Sequence, residues 1–397
     1  MISRTSFAAV LLAATTTSAF VAPTHNNNNN NNHHRIASAS TKTSLSATDR
    51  LEQGDPVLLV GPGFQQLVLA KHMARAGLKP IVVASQTKLD SFFKSFLKTG
   101  DAEDHVGDED PEGLHKQIRD DSTIGMPEAG DPYFGELKGV VFCAEEAVLP
   151  KEFVERVIDF EDSGMSPFAD GKPARTICLL PVSNKQTKEK ANNWIPIFNM
   201  DSKKDDMWSN FEKAFVAHPS YKEADGNASI VRFGSLLGGS TDGPPVLRDY
   251  GLDEGMYKMT LEQYRDMRER AFDRYKLSAQ VLKGNTINAR PADQDTKEKD
   301  ALAKYPGNVR EMFPILGDYP EIDRTNRHTL ASGLVQALMQ PVSAIGKEIT
   351  ILSKASSEIP TEEEWLEMFA NPAAASWPDP FAFEPEKYGM FANDDLN

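Results

Sequence analysis

From residue 56 onward the apolar positions fall into short continuous runs, separated by stretches with helical spacing. "PVLLV" (Pro56–Val60), "KPIVVAS" (Lys79–Ser85), "GVVFCAE" (Gly139–Glu145), "ARTICLLPVS" (Ala174–Ser183), "ASIVRFG" (Ala228–Gly234) and "GKEITILS" (Gly346–Ser353) have the length and composition of strands buried on both faces. Between them the spacing predicts helices near Phe64–Ala76, Lys151–Phe160, Met207–Ala217, Thr260–Leu282 and Arg324–Pro341. In the first helix Leu67, Val68, Ala70 and Ala74 are the inward positions, and Gly77 is the stop. Strands alternating with helices predict an α/β fold, a doubly wound parallel sheet with helical additions, over residues 51–355.

The rhythm fails between residues 98 and 135. "GDAEDHVGDEDPEG" carries seven acids from Asp101 to Glu112 and reads as a solvated loop, so the third strand of such a sheet has no visible position. Residues 356–397 form a C-terminal helix and an extended tail. Thr361 is placed to cap that helix, and Glu362, Glu363 and Glu364 suit its positive end. The tail's Trp377, Phe381, Phe383 and Phe391 favour a strap packed on the domain, with an arm that binds a protein partner as the alternative.

The first 50 residues follow other rules. Arg4, an apolar stretch around Phe7–Ala14 and small residues ending at Ala19 have the parts of a signal peptide (residues 1–19). Residues 20–50 are polar, rich in Ser and Thr and free of acid before Asp49, and Asn26–Asn32 is a low-complexity run unable to build a core. The junction "SAFVAP" (Ser18–Pro23) resembles the bipartite plastid presequences of diatoms and related algae. That resemblance implies a plastid address, soluble or peripheral to the thylakoid; simple secretion is the alternative.

Charge narrows the partners. The chain carries a formal −15, and outside residues 1–48, with three bases and no acid, 40 bases stand against 58 acids, a net −18. A surface of that sign disfavours nucleic acid. No run after residue 50 approaches the roughly 20 apolar residues a membrane span needs. The two cysteines, Cys143 and Cys178, sit in apolar runs and read as core thiols, free to approach each other if their strands are neighbours. No metal site is expected.

The candidate chemistry lies where the first strand meets the first helix. In "VGPGFQQ" Gly61 lets the chain turn off the strand and Gly63 lets backbone N–H groups approach a pyrophosphate at the helix N-terminus, beside Phe64. Gln66 stands where a third glycine would bring helix and strand together, so looser packing is expected there, with its amide donating to a phosphate oxygen or capping the first turn. About 20 residues on, where an acid would hold the ribose hydroxyls of NAD, the chain has Ser85 and Lys88, which better suit the 2′-phosphate of NADP.

These pieces, in this order, resemble the atypical short-chain dehydrogenases/reductases, the NmrA-like NAD(P)-binding proteins. The resemblance covers roughly residues 56–353 and is carried by Gly61 and Gly63, "LKGVVFCA", "TICLLPVS", "SIVRFGSLLGGSTDGP", "IDRTNRHTLASGLVQAL" and "GKEITILS". It implies a dinucleotide across the ends of the first, fourth and fifth family strands, with Ala144 and Glu145 by the adenosine half and Ser183 by the nicotinamide. The chain departs from the pattern twice. Phe233 replaces a proline common in relatives, and none of the nine tyrosines has a lysine four residues later, so the Tyr-x-x-x-Lys proton donor is absent. Without that pair Ser183, the one catalytic candidate, reads as structural. His-Glu-x-x-His, G-x-S-x-G and phosphate-loop motifs are also absent, and His328 reads as a core or surface histidine rather than a pocket residue. Two functions follow: a plastid NADP-binding protein working as a binding, sensing or assembly factor, or an NADPH-dependent reductase of a pigment, quinone or isoprenoid intermediate.

Overall fold

The computed structural model describes residues 50–61, 63–83, 129–143, 145, 149–160, 165–182, 201–223, 226–239, 272–273, 275–288 and 323–375. The presequence, the acidic stretch with its sought third strand, residues 260–271 and the tail after residue 375 lie outside them.

Among the described residues six parallel strands and one antiparallel strand form a single sheet. The strands are β1 (Pro56–Val60), β2 (Lys79–Val83), β3 (Gly139–Cys143), β4 (Arg175–Pro181), β5 (Ala228–Phe233), β7 (Ser278–Lys283) and β9 (Glu348–Lys354). Their order is β2-β1-β3-β4-β5-β9-β7. A short parallel pair, β6 (Ser235–Leu237) with β8 (Arg324–Asn326), stands beside it. The chain runs outward from β1 to β2 and then returns to the other side of β1 for β3. This reversal opens a crevice at the C-terminal ends of β1 and β3, the place where open α/β sheets bind ligands.

Every residue of β1, β3 and β5 is buried because helices cover both faces. One layer holds α1 (Phe64–Arg75), α5 (Arg327–Met339) and α7 (Glu362–Ala370), packed on Val57, Leu59, Val141, Ile177 and Val231. The opposite layer holds α2 (Glu152–Ile158) and α3 (Asp201–Ala217), packed on Leu58, Val140, Phe142 and Ile230. The alternation along each strand is the two-residue period of the pleat. The helices α4 (Pro219–Lys222) and α6 (Val342–Ile345) are short connectors. Among the described residues no helix is long and apolar enough to cross a membrane, and no group of three or more His, Cys, Asp or Glu could hold a metal ion.

Two helix assignments need correction. Residues 278–282, expected to end a long helix, lie instead in β7, which pairs antiparallel with β9, Ser278 facing Lys354 and Lys283 facing Ile349. "SAQVL" fits both periods over so short a span, and the open edge of β9 selects the strand. Likewise Arg324–Asn326 is strand β8, and the helix begins only at Arg327, where the Asn326 side chain accepts from the His328 N–H at 2.8 Å.

The cysteines occupy neighbouring strands yet face away from each other. Phe142 pairs with Cys178 and Cys143 with Leu179, an offset of one residue, so Cys143 faces the α1 layer and Cys178 the α3 layer. Both are free and buried, and burial pushes both thiols up. Helix α7 belongs to the first layer. Thr361 and Glu364 form a reciprocal capping box, and the Trp365 indole N–H donates to Ser332 Oγ on α5 at 3.0 Å.

Candidate functional site

The turn after β1 has the shape of an anion cradle. Gly61 and Gly63 have φ of +125° and +142°, a region that side chains rarely adopt. A Cβ on Gly61 would run into the Cys143 carbonyl oxygen, and one on Gly63 would come within 2.7 Å of Glu145 Oε2. Gly63 is the N-cap of α1 and offers no side chain to its first N–H groups.

An anion already occupies this cradle, and the chain itself supplies it. Glu145, just past β3, accepts the Gln65 backbone N–H on Oε2 at 2.6 Å. Its Oε1 accepts Arg327 Nε at 3.1 Å and Nη2 at 2.8 Å. Arg327 Nη1 donates to the Gly238 carbonyl at 2.9 Å, and the guanidinium lies 5.5 Å from the Phe64 ring centroid. Side-chain exposure is 8% for Glu145 and 18% for Arg327, so the pair is largely withdrawn from water. The helix end, a neutralising arginine and a carboxylate thus meet where a pyrophosphate would sit in a fold of this kind.

Gln65, which the sequence did not single out, holds both sides of this contact. Its backbone takes Glu145, while its side-chain Nε2 donates to the Arg327 carbonyl at 3.2 Å. Its Oε1 is buried with no donor. An orphaned buried acceptor costs about 1–3 kcal/mol.

Gln66 does not reach the turn. Its side chain is fully buried, with Nε2 donating to Leu59 O at 2.8 Å and Val83 O at 3.4 Å, at the ends of β1 and β2. The expected gap between helix and sheet is therefore filled by the glutamine, and its amide N–H groups are directed at strand carbonyls rather than at a phosphate. His328 is also turned from the pocket: its Nδ1 lies 3.1 Å from His72 Nε2, between α5 and α1. Burial first, and then His328, lowers the His72 pKa to about 3, which keeps that ring neutral.

Beside the cradle lies a cleft of about 480 Å³ at the C-terminal ends of β4 and β5. Pro181, Val182, Phe233 and Ile287 give it apolar walls, and Glu145, Asp323 and Arg327 are its charged residues. Phe233 thus forms part of the cleft wall. Of the sequence-derived candidates, Gly61, Gly63, Phe64 and Glu145 come together here; Ser85, Lys88, Ala144 and Ser183 lie outside the described residues.

Sheet order, switch point and glycine turn define a Rossmann-type α/β protein. No protein-family model matches the chain, and no curated protein does. Similar solved structures include a short-chain dehydrogenase/reductase from Veillonella parvula, at 8% identity over 78% of this chain and 99% of that one, with a TM-score of 0.35. UDP-N-acetylglucosamine 4-epimerase from Bacillus cereus is similar at 10% identity over 83% of this chain and 90% of that one, TM-score 0.30. Gre2 from Candida albicans is similar at 10% identity over 87% and 95%, TM-score 0.32. These similarities concern the fold alone, and the fold assignment rests on the sheet order itself.

Proposed function

We propose that this chain is an NADP-preferring dinucleotide-binding protein of the plastid that works as a binding, sensing or assembly factor rather than as a reductase. The observation that supports it most is the anion on the turn: a carboxylate oxygen sits 2.6 Å from the Gln65 N–H, at glycines with no room for a side chain. A cradle that holds one oxyanion by its backbone suits a pyrophosphate, with Gln65 N–H and Arg327 as the groups that would hold it. Against catalysis stands the missing Tyr-x-x-x-Lys pair, since no phenol is placed by sequence to protonate a carbonyl. For the C-terminal tail a strap packed on the domain is the first reading, and an arm for a plastid protein partner the alternative.

Titration of the full chain is expected to show NADPH binding more tightly than NADH, because Ser85 and Lys88 stand where NAD-specific folds place an acid. Lys88→Ala is expected to narrow the difference by about 1 kcal/mol, as for an exposed charge pair. Equal wild-type affinities would refute the NADP preference. Localisation is checked separately: residues 1–50 fused to a fluorescent reporter are expected to enter the plastid of an alga with a secondary plastid, and Phe20→Ala to impair import. A reporter that is secreted or stays in the cytosol sinks the plastid assignment.

One observation favours a second reading, the reductase. The cleft has apolar walls and an acid at Asp323, a combination suited to an apolar substrate with a polar end. NADPH oxidation on adding a quinone would favour it.

A further inference from the structure

The Glu145–Arg327 contact occupies the position that the proposed ligand needs. Gln65 has one backbone proton to donate, and Glu145 Oε2 holds it at 2.6 Å. The same carboxylate stands 2.7 Å from the place of a Cβ on Gly63, so it fills the space that the glycine keeps clear. A phosphate oxygen and this carboxylate cannot share the turn, both because of the space and because two anions repel at that distance.

Resting on the dinucleotide reading above, we infer that Glu145 is an internal stand-in for the pyrophosphate, and that a dinucleotide binds by exchanging it, Arg327 passing from the carboxylate to the phosphate. The exchange keeps Arg327 and the Gln65 N–H matched to an anion, and it frees the Glu145 carboxylate. Arg327 is only 18% exposed, and a ligand that pushed Glu145 aside without bringing its own anion would leave a largely buried guanidinium without a counter-anion and the Gln65 N–H without an acceptor. The latch therefore selects for anionic ligands and rejects neutral ones of the same shape. Space for the displaced carboxylate lies next to it, because Glu145 and Arg327 both line the 480 Å³ cleft.

The test is calorimetric titration of the full chain with NADPH, and separately with inorganic pyrophosphate, for wild type, Glu145→Gln and Glu145→Ala. Glu145→Ala empties the cradle and is expected to bind NADPH at least tenfold more tightly than wild type, with pyrophosphate binding gained in parallel. Glu145→Gln keeps an acceptor for the Gln65 N–H but removes the charge that competes with phosphate, and is expected to fall between them; it also secures the result if the alanine variant does not fold. Equal NADPH affinity in all three proteins overturns the latch and leaves the dinucleotide reading standing. Weaker binding in both variants makes Glu145 a ligand of the dinucleotide and also overturns the latch. No NADPH binding by any of the three overturns the dinucleotide reading itself, and the latch with it.

Discussion

Trp365→Ala is expected to lower the free energy of unfolding by about 3–5 kcal/mol, the range for removing a large aromatic from a core. Trp365 is fully buried although it lies near the end of the chain, in a nine-residue helix that follows the last strand. It stacks on Phe369 at a centroid distance of 5.5 Å, and its six-membered ring presses on α5 so closely that a Cβ on Gly333 would lie 2.8 Å from its Cη2. The cavity left by alanine is walled by α5 at Ser332 and Gly333, and it cannot collapse without moving that helix. Trp365→Phe removes mainly the bond to Ser332 and is expected to cost about 1 kcal/mol. Denaturant unfolding checks both; a loss under 1 kcal/mol for alanine would mean that α7 is an appendage and not part of the core.

Gly63→Val is expected to weaken NADPH binding by about a hundredfold or more, near 2.7 kcal/mol on the affinity scale, and to destabilise the fold as well. Two separate causes act. A branched residue at φ +142° is strained by about 1–3 kcal/mol whatever surrounds it. Its Cβ would also strike Glu145 in the latched state and a phosphate in the bound state. Combining it with Glu145→Ala separates these effects: stability is expected to recover in part, because the carboxylate contact is gone, while NADPH affinity stays low. Undiminished binding by the single variant would show that the turn holds no dinucleotide.

Much of the sheet was legible because its strands are buried on both faces and so read as unbroken apolar runs, as in "PVLLV" and "TICLLP". The edge strand β7 was not, since its apolar residues read both ways: Ala279 with Val281 at the strand period, Ala279 with Leu282 at the helical one. In the site, Gly61 and Gly63 announced themselves locally. Glu145 was expected at the adenosine half of a ligand, and its place on the turn depends on β3 pairing with β1, a contact between residues 80 positions apart in Gln65 and Glu145. Arg327 left one readable trace. A cation in the first turn of a helix opposes the dipole, and α5 opens with it directly after its cap, which signals a partner elsewhere.

The opposed placement of Cys143 and Cys178 gives the chain a pair of native clocks. A thiol-specific alkylating reagent can meet Cys143 only when the layer of α1 and α5 lifts from the sheet, and Cys178 only when Phe211 and Phe215 of α3 draw away. Because the two sulfurs lie on opposite faces of the sheet, their labelling half-lives time the opening of the two sides separately, with no engineered probe. Alkylation at Cys143 that slows when NADPH is added, while Cys178 keeps its pace, would locate the ligand's stiffening effect on the side of the glycine turn.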